Sequence, residues 1–402
     1  MNIRRIIKNN NVAYHLALSA RNKIYRKEMG KYASEPLVKN QVLFNNFNGR
    51  GFGDNPKAMA EAIHEMDPSV KLLWAVKEQD ETLPSYIGQV LFETAEYYRA
   101  LSTSAVWVSN VFMPDGVVKR DGQLYIQTWH GDRPLKKIFN DAARDLKAFK
   151  DKYGEKDYFE AGNCDYITSA STFAEELYRR SVGFEGKFID CGCPRNDRLV
   201  EPSSEEIEGI KEKLGIAGKK VLLFAPTFRD NKVNEGTNDS DIRLSEILDA
   251  LEEKTGGDWI CLLRAHGGTQ LVRKNEAEDA RFMDVTRYPD MTDLLLVTDY
   301  LITDYSSCAT DFAMTGRPVM FYQDDIEEYK AKSRTLYYTE KDECFSGVRN
   351  MSEALKFISD TDEEEYKKRD REILDFFDTH ESGKSSEECA RIIVEKCNSV
   401  TK

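Results

Sequence analysis

Short apolar runs alternate along most of the chain with longer, charged stretches that have helical spacing. The apolar runs predict β-strands, and the charged stretches, such as 56–66 and 172–182, predict amphipathic helices. The predicted strands cover residues 41–45, 71–76, 105–109, 124–128, 166–169, 187–190, 220–225, 259–264, 282–284, 300–303 and 318–322. Because a polar stretch at 201–208 divides them into two series, the pattern predicts two α/β domains, each with a helix-covered βαβ sheet.

Length and composition agree with this division. A chain of 402 residues exceeds what one hydrophobic core usually supports. No run of about 18 apolar residues is present, and the basic start leads into Asn9, Asn10 and Asn11 in place of an apolar secretory core. The eight cysteines include no CxxC pair. We therefore expect a cytoplasmic protein with reduced thiols and without a structural zinc ion.

The net charge of −13 is unevenly distributed. Residues 1–33 carry eight basic side chains and one acid, Glu28, which leaves −20 for the rest and argues against broad nucleic-acid binding. Within the basic segment, apolar residues at spacings of four and seven predict one helical stripe, formed by Ile3, Ile7, Tyr14, Leu18 and Tyr25. Such a helix is expected either to lie on an anionic membrane surface or to pack on its own domain.

Two apolar runs, one in each half, end in a His-Gly pair. Residues 124–129 lead into His130-Gly131, and residues 259–265 lead into His266-Gly267. A polar side chain directly after a strand lies where open α/β sheets bind their ligands. Both histidines are therefore candidate functional residues, with an ordinary loop histidine bonded to nearby backbone as the alternative.

A third candidate follows the strand that ends at Thr303. Asp304 and Ser306 can cap a helix that continues through Phe312. A helix start above a sheet offers free N–H groups, so it can bind a pyrophosphate with serine hydroxyls as extra donors. The alternative is a pair of ordinary capping serines, because no Walker loop or GxGxxG is present.

Several segments, taken together, closely resemble the CDP-glycerol glycerophosphotransferases, the primases and polymerases of teichoic-acid and related wall or capsule polymers. They are QTWHG at 127–131 with PLKK at 134–137, APTFR at 225–229, RAH at 264–266, ITDYSS at 302–307 with DFA at 311–313, and RPVMFY at 317–322. Weaker similarities occur at 47–56, 192–199 and 383–385. The resemblance thus covers the chain from about residue 40, in the order of the family.

The resemblance implies a GT-B fold, in which two Rossmann-like domains face an interdomain cleft. Residues 1–34 are then a basic, amphipathic membrane-contact segment, 35–199 the acceptor domain, and 200–402 the CDP-donor domain. His130 corresponds to the proposed general base, and His266 to a second essential histidine at the donor phosphates or the leaving group. The implied donor-binding residues are Thr227, Arg229, Arg264, Thr303, Ser306, Ser307, Asp311, Gly383, Lys384 and Ser385. The implied acceptor-side residues are Gly49, Asp54, Asn55, Asn110, Gly131, Asp132 and Arg133.

The implied reaction transfers an alditol phosphate to a lipid-linked glycan or growing polymer and releases CMP. The first candidate for the transferred group is glycerol phosphate, with CDP-glycerol as the donor. Asp132 and Arg133 make the loop before Pro134 one residue longer than in the family that the chain resembles. Because of this departure, CDP-ribitol remains an alternative donor. No cofactor or metal is expected, and the implied location is the inner face of the cell membrane. Two further alternatives are a glycosyltransferase that uses a sugar nucleotide and a non-catalytic wall-assembly binding protein.

Overall fold

The computed structural model describes residues 11–146, 150, 163–227, 242–265 and 279–399. They form two compact units. The first contains the described residues of Met1–Asp132, Asp151–Asp197 and His380–Lys402, and the second those of Arg133–Lys150 and Arg198–Thr379. The chain therefore changes unit between Asp197 and Arg198, close to the predicted domain boundary, whereas its last helix belongs to the first unit.

The strands, numbered along the whole chain, all lie in parallel pairs. The first unit contains β1 (Val38–Asn45), β2 (Lys71–Val76), β3 (Ile87–Leu91), β4 (Ser104–Ser109), β5 (Leu124–Gln127), β6 (Tyr166–Ser169) and β7 (Lys187–Asp190). The second contains β8 (Lys220–Phe224), β9 (Trp259–Leu263), β10 (Phe282–Asp284), β11 (Tyr300–Thr303) and β12 (Val319–Phe321). The spatial orders are β3-β2-β1-β4-β5-β6-β7 and β10-β9-β8-β11-β12. In both sheets the order reverses beside the first strand, between β1 and β4 and between β8 and β11, where doubly wound sheets bind ligands.

The described α-helices connect and cover these strands. They are α1 (Asn11–Gly30), α2 (Asp54–Met66), α3 (Ala95–Thr103), α4 (Phe139–Asp145), α5 (Thr172–Val182), α6 (Asp197–Val200), α7 (Ser204–Leu214), α8 (Leu244–Thr255), α9 (Met291–Val297), α10 (Cys308–Phe312), α11 (Ile326–Lys332), α12 (Met351–Asp360), α13 (Glu363–Phe376) and α14 (Ser385–Asn398). Within the described part of the chain, no helix combines the length and apolarity needed to span a bilayer.

Helix α14 packs on the first sheet because its apolar stripe completes that core. Ala390 and Ile393 are fully buried and cluster with Phe44 of β1 and Met59 of α2. The core of the second unit is separate and joins Leu222, Ile302 and Met320 to the inner faces of α8 and α12. Residues 380–399, predicted as part of the donor domain, thus lie in the other unit.

Every strand predicted from the apolar runs is present, and no strand end differs from the prediction by more than three residues. Strand β3 is the one that the sequence analysis missed. It lies at the edge of the sheet and pairs with β2 alone, and Gly88 and Gln89 interrupt its apolar run. An edge strand of five residues needs few apolar positions, because only part of it faces the core.

Helix α1 turns the described part of the stripe that was predicted to contact a membrane toward its own unit, where Tyr14 and Leu18 are half-buried. The Tyr25 side chain is fully buried, packs edge to face on Tyr98 at 5.2 Å and donates to Glu93 at 3.0 Å. The apolar side chains that α1 exposes are Val12, Leu16 and Ile24, which are 70%, 66% and 52% accessible. The helix therefore packs on its own unit through the predicted stripe and presents a second stripe to solvent.

Candidate active site

The loops after β1 and β4 are joined to each other at the point where the strand order reverses. Asn110, directly after β4, donates from Nδ2 to Oδ1 of Asn46 at 2.6 Å. Its own Oδ1 accepts a hydrogen bond from the Phe47 backbone N–H at 2.8 Å. Both asparagines are buried. Asn110, predicted on the acceptor side, therefore fixes the backbone at this edge of the sheet.

His130 follows β5 and lies beside the same loops. Its Nδ1 is 2.7 Å from the backbone carbonyl oxygen of Asn110. A carbonyl oxygen can only accept, so Nδ1 carries the hydrogen and Nε2 of the neutral ring is left as a proton acceptor. The half-buried imidazole packs between the rings of Phe47 and Trp129, with centroids at 5.3 and 4.1 Å. This arrangement suits a general base.

The backbone around His130 is strained. Trp129, Phe47, Asn48 and Asp54 have φ angles of 48°, 43°, 57° and 61°, in the left-handed region that residues other than glycine rarely adopt. Each such residue costs on the order of 1–3 kcal/mol, which surrounding contacts must offset. Strain of this kind is concentrated at functional sites, and here it lies in the loops that hold the His130 side chain.

Asn55 supplies contacts that hold the strained loop. Its Nδ2 donates to the carbonyl oxygens of Thr128 and Trp129, both at 3.3 Å. Its Oδ1 accepts from the Arg195 backbone N–H at 3.0 Å, and the Arg195 guanidinium binds Asp54 at 3.2 Å. Asp54 and Asn55 were predicted on the acceptor side. In the structure they support the backbone that leads into His130.

Three more residues predicted on the acceptor side have structural contacts in the first unit. Gly49 has a φ of 81°, and its carbonyl oxygen accepts from the Lys77 N–H at 2.9 Å. Gly131 is buried. The buried Asp132 carboxylate accepts from the Ala170 N–H at 2.7 Å, which fixes the residue after His130-Gly131 to the end of β6.

Arg133 and Asp311 form a buried ion pair within the second unit. Their side chains are 2.9 Å apart and at most 8% accessible. The Arg133 carbonyl oxygen also accepts from the Thr310 hydroxyl at 3.2 Å. Arg133 was predicted on the acceptor side and Asp311 on the donor side, whereas the structure pairs them. Breaking one member of such a pair leaves a buried charge, so the pair holds this segment in place.

In the second unit, the loops after β8 and β11 meet through Asp304. Its Oδ1 accepts from the backbone N–H groups of Thr227 at 2.7 Å and Tyr305 at 2.5 Å. The Thr303 hydroxyl donates to the Ala225 carbonyl oxygen at 2.7 Å. Thr227 and Thr303 are thus brought together where the order of the second sheet reverses, as expected for residues of one binding site.

Ser306 and Ser307 lie next to them, at the start of α10. Both are half-buried among buried neighbours. The Ser306 Oγ accepts from the Cys308 N–H at 3.4 Å, whereas the N–H groups of Ser306 and Ser307 donate to no acceptor in the described part of the chain. Free N–H groups at the end of a strand are suited to an anion such as a phosphate.

Arg264 is engaged with backbone. Its Nη1 donates to the carbonyl oxygens of Val285, Thr286 and Tyr288 at 2.7, 3.1 and 2.5 Å, and burial lowers the pKa of the guanidinium. This nitrogen holds the segment after β10. Two other predicted residues, His266 and Arg229, lie outside the described residues.

The predicted donor-binding segment 383–385 lies in the first unit, at the start of α14. Its Lys384 is exposed, whereas the buried Ser385 donates from Oγ to the Cys191 carbonyl oxygen at 2.6 Å. The Asp197 carboxylate accepts from the N–H groups of Ser385 and Ser386, each at 2.8 Å. The Asp197 carboxylate therefore lies at this helix start in the place where an anion would otherwise bind.

The sequence analysis missed the roles of Asn46, Arg195 and Asp197. Arg195 and Asp197 lie in the segment 192–199, which is one of the segments that carry the resemblance. The sequence therefore marked these positions but did not reveal their roles. Asn46 had no signal of its own, because its partner Asn110 is 64 residues away and is reached only when β1 and β4 pair.

Comparisons with known proteins show which family the sequence resembles. The sequence profile described as CDP-Glycerol:Poly(glycerophosphate) glycerophosphotransferase matches residues 31–395. The chain is 32% identical to the teichoic acid poly(glycerol phosphate) polymerase of Bacillus subtilis strain 168, over 92% of this chain and 51% of that protein. It is also 32% identical to the teichoic acid glycerol-phosphate transferase of Staphylococcus aureus strain NCTC 8325 / PS 47, over 82% of this chain and 87% of that protein.

Among solved structures, a variant of the wall teichoic acid polymerase TagF matches with a TM-score of 0.82 at 28% identity, covering 99% of this chain and 98% of that chain. This match confirms the predicted fold class, the GT-B type. The chain belongs to the CDP-glycerol:poly(glycerophosphate) glycerophosphotransferase family. It spans about half the length of the poly(glycerol phosphate) polymerases of B. subtilis strain 168 and Staphylococcus epidermidis.

Proposed function

We propose that this chain transfers glycerol phosphate from CDP-glycerol to a hydroxyl group of a lipid-linked glycan or a growing polymer of the teichoic-acid or capsule type, with release of CMP. Membership of the family supports the reaction class. Four relatives that are 30–32% identical to this chain are named for glycerol phosphate, whereas relatives at 26–28% identity include some named for glycerol phosphate and some named for ribitol phosphate. This difference favours glycerol as the transferred alditol.

The observation that carries the proposal is the contact between His130 Nδ1 and the Asn110 carbonyl oxygen. With Nδ1 protonated, Nε2 accepts the proton of the acceptor hydroxyl as its oxygen attacks the phosphorus that bears the glycerol. A new P–O bond forms, the bond to the CMP oxygen breaks, and CMP leaves with the electron pair. Packing between Phe47 and Trp129 keeps the imidazole in the orientation that this proton transfer needs.

The donor phosphates are assigned to the edge of the second sheet. The N–H groups of Ser306 and Ser307 and the loops joined by Asp304 support this assignment, since such donors stabilise negative charge on phosphoryl oxygens. His266 and Arg229 keep the donor-side roles that the resemblance implies. We assign no resident cofactor, because CDP-glycerol is the substrate that supplies the transferred group.

The exposed stripe of α1 supports a second part of the proposal, attachment to the inner face of the membrane. Val12, Leu16 and Ile24 lie outward, and the exposed Lys23 and Lys27 lie among them. Apolar side chains flanked by lysines suit an anionic lipid surface. Leu16→Asp should then reduce flotation with anionic liposomes several-fold, whereas Ser19→Asp, which adds the same charge without removing apolar area, should reduce it less. Equal flotation of the wild type and Leu16→Asp would contradict this attachment.

The reaction is tested by CMP release from the purified chain with a lipid-linked glycan acceptor. CDP-glycerol, CDP-ribitol and a UDP-sugar are offered in parallel, and donor binding is measured by calorimetry. Acceptor-dependent CMP release that is fastest with CDP-glycerol supports the proposal. Faster release from CDP-ribitol would change the alditol, UDP-sugar turnover alone would indicate a glycosyltransferase, and donor binding without turnover by any acceptor would indicate a binding protein.

A further inference from the structure

Three side chains of metal-ligand type meet in the first unit. They are Glu175 in the first turn of α5, Asp190 at the end of β7, and His380, the first residue of the C-terminal segment in this unit. One potential ligand atom from each lies within 4.8 Å of the other two. The three come from distant parts of the sequence, so the fold brings them together.

The His380 ring nitrogen is directed into this cluster. The side chain is 36% accessible, yet Nε2 is shielded from solvent and lies beside Oδ1 of Asp190. The two atoms form an ion pair when the imidazole is protonated. The position is fixed because the His380 backbone N–H donates to the Ala170 carbonyl oxygen at 2.8 Å. A metal ion can replace the proton between this nitrogen and the Asp190 carboxylate, because both groups are metal ligands when they are deprotonated.

The cluster also concentrates negative charge, because two carboxylates face one imidazole. The charge of Asp190 acts against the ionised form of Glu175. The Arg179 guanidinium is engaged elsewhere: it donates to the Phe184 carbonyl oxygen at 2.7 Å and lies 4.7 Å from the Phe188 ring centroid. A cation between the two carboxylates would relieve their repulsion.

We propose that Glu175, Asp190 and His380 bind a divalent transition-metal ion, with Zn²⁺ as the best match. Zinc–nitrogen and zinc–oxygen bonds are about 2.0–2.2 Å long, so two ligands of one ion lie up to about 4.4 Å apart. The observed cluster reaches this geometry with small side-chain rotations, which the accessible Asp190 and His380 allow. One nitrogen and two carboxylate ligands favour Zn²⁺ or Mn²⁺ over Mg²⁺ and Ca²⁺, which prefer oxygen alone.

Binding at this site would cross-link the C-terminal segment to the first sheet. His380 lies five residues before α14, whose stripe completes the core around Phe44 and Met59. The ion would therefore stabilise the return of the chain to this unit, in addition to the packing of α14. This role is separate from the proposed transfer reaction, so its test does not depend on activity.

The test uses the untagged full chain after treatment with EDTA. Calorimetry with ZnCl₂ should show one equivalent bound per chain and a rise in Tm, since a ligand of the folded state stabilises it. His380→Gln and Asp190→Asn should each weaken this binding at least ~10-fold, because each removes one of three protein ligands. Glu176→Gln is the matched control, since Glu176 follows Glu175 on α5 and lines the adjacent cavity without belonging to the cluster.

Two results would overturn the proposal. One is the lack of stoichiometric zinc binding in the wild-type chain. The other is binding that His380→Gln and Asp190→Asn retain at full strength. In the second case, the spectrum with cobalt(II) shows which kind of ligand binds the metal. A sulfur-to-metal charge-transfer band would indicate cysteine ligands, whereas the proposed site supplies nitrogen and oxygen only.

Discussion

The carboxyl edge of the first sheet and that of the second sheet carry different kinds of polar group. At the first edge, side chains and carbonyl groups are bonded to one another: Asn110 holds Asn46 and His130, and Asn55 holds the Trp129 backbone. At the second edge, Asp304 joins two loops and the N–H groups of Ser306 and Ser307 are left available. One edge fixes a single imidazole, and the other presents backbone donors.

This difference corresponds to two demands of the proposed phosphoryl transfer. A general base acts only when its acceptor atom is oriented, so the first edge uses hydrogen bonds to fix the tautomer and ring position of His130. Anionic oxygens need several donors in a fixed array, which the backbone supplies at the second edge. The same α/β architecture can thus serve both demands, because the loop residues after the strands differ.

The largest expected effect is at the first edge. His130→Asn keeps a donor for the Asn110 carbonyl oxygen and removes the base, so turnover should fall about 10³-fold with donor binding retained. CMP release and calorimetry with CDP-glycerol measure the two quantities. His64→Asn, in the same unit but stacked on Tyr86, is the control and should leave both unchanged. Turnover above a tenth of wild type in His130→Asn would remove His130 from the reaction.

The pH dependence of stability should distinguish the second unit, because it buries an acid. Burial raises the pKa of Asp370 to about 8, against opposing effects of Arg369 and Arg371. The folded state therefore holds a proton that the unfolded chain loses near pH 4, and stability falls as pH rises from about 4 through about 8. Between pH 5 and pH 8 the loss should be roughly 3 kcal/mol.

Asp370→Asn should remove most of this pH dependence, as measured by urea unfolding at pH 5 and pH 9. The matched control is Asp375→Asn, since Asp375 is exposed on the same helix, α13. The control should keep the wild-type dependence. An equal loss of stability with pH in Asp370→Asn and the wild type would show that Asp370 is not the group responsible.

A smaller effect is expected for Asn55→Ala, which removes the contacts of the strained loop. Unfolding free energy should fall by about 1–3 kcal/mol, because carbonyl oxygens of the loop and the Arg195 N–H lose their partner. The kcat should fall about 10-fold with little change in KM for the donor, since the base loses its orientation. Asn40→Ala, which removes a solvent-exposed hydrogen bond from a half-buried asparagine to the Ser69 carbonyl oxygen, should change neither. A pure stability effect would limit Asn55 to a structural role.

The smallest effect separates the two serine pairs that begin helices. Ser306→Ala should raise the KM for CDP-glycerol a few-fold, as expected for the loss of one hydrogen bond of about 1 kcal/mol. Ser386→Ala removes a hydroxyl bonded to Asp197, so it should lower stability by about 1 kcal/mol and leave KM unchanged. Equal changes in KM for the two variants would contradict the assignment of the donor to the second sheet.

Much of the fold follows from the sequence, because parallel strands buried on both faces give continuous apolar runs. Such runs located eleven strands and placed His130 and Thr303 at strand ends. The chemistry around them was less accessible. The partner of His130 is a backbone carbonyl group, which the sequence pattern does not reveal. The strained φ angle of Trp129 has no sequence signal either.

The serine pairs show a second limit. Ser306-Ser307 and Ser385-Ser386 both lie at helix starts, so the sequence predicts the same capacity for anion binding at each. They differ because the Asp197 carboxylate, 188 residues before Ser385, accepts hydrogen bonds from the N–H groups at one helix start. No described side chain accepts from the N–H groups of Ser306 and Ser307. In the same way, Glu175, Asp190 and His380 follow no metal-binding spacing, so their cluster exists only in the folded chain.

The tautomer of His130 is the most direct test of the central claim, that the Asn110 carbonyl oxygen orients this imidazole as a base. Nitrogen-15 NMR of histidine-labelled protein distinguishes protonated from unprotonated ring nitrogens, and His130→Asn identifies the signal by its loss. The account predicts a neutral ring with the hydrogen on Nδ1 and an unprotonated Nε2. A neutral ring with its hydrogen on Nε2 would contradict it, because that nitrogen could not accept the proton of the acceptor hydroxyl.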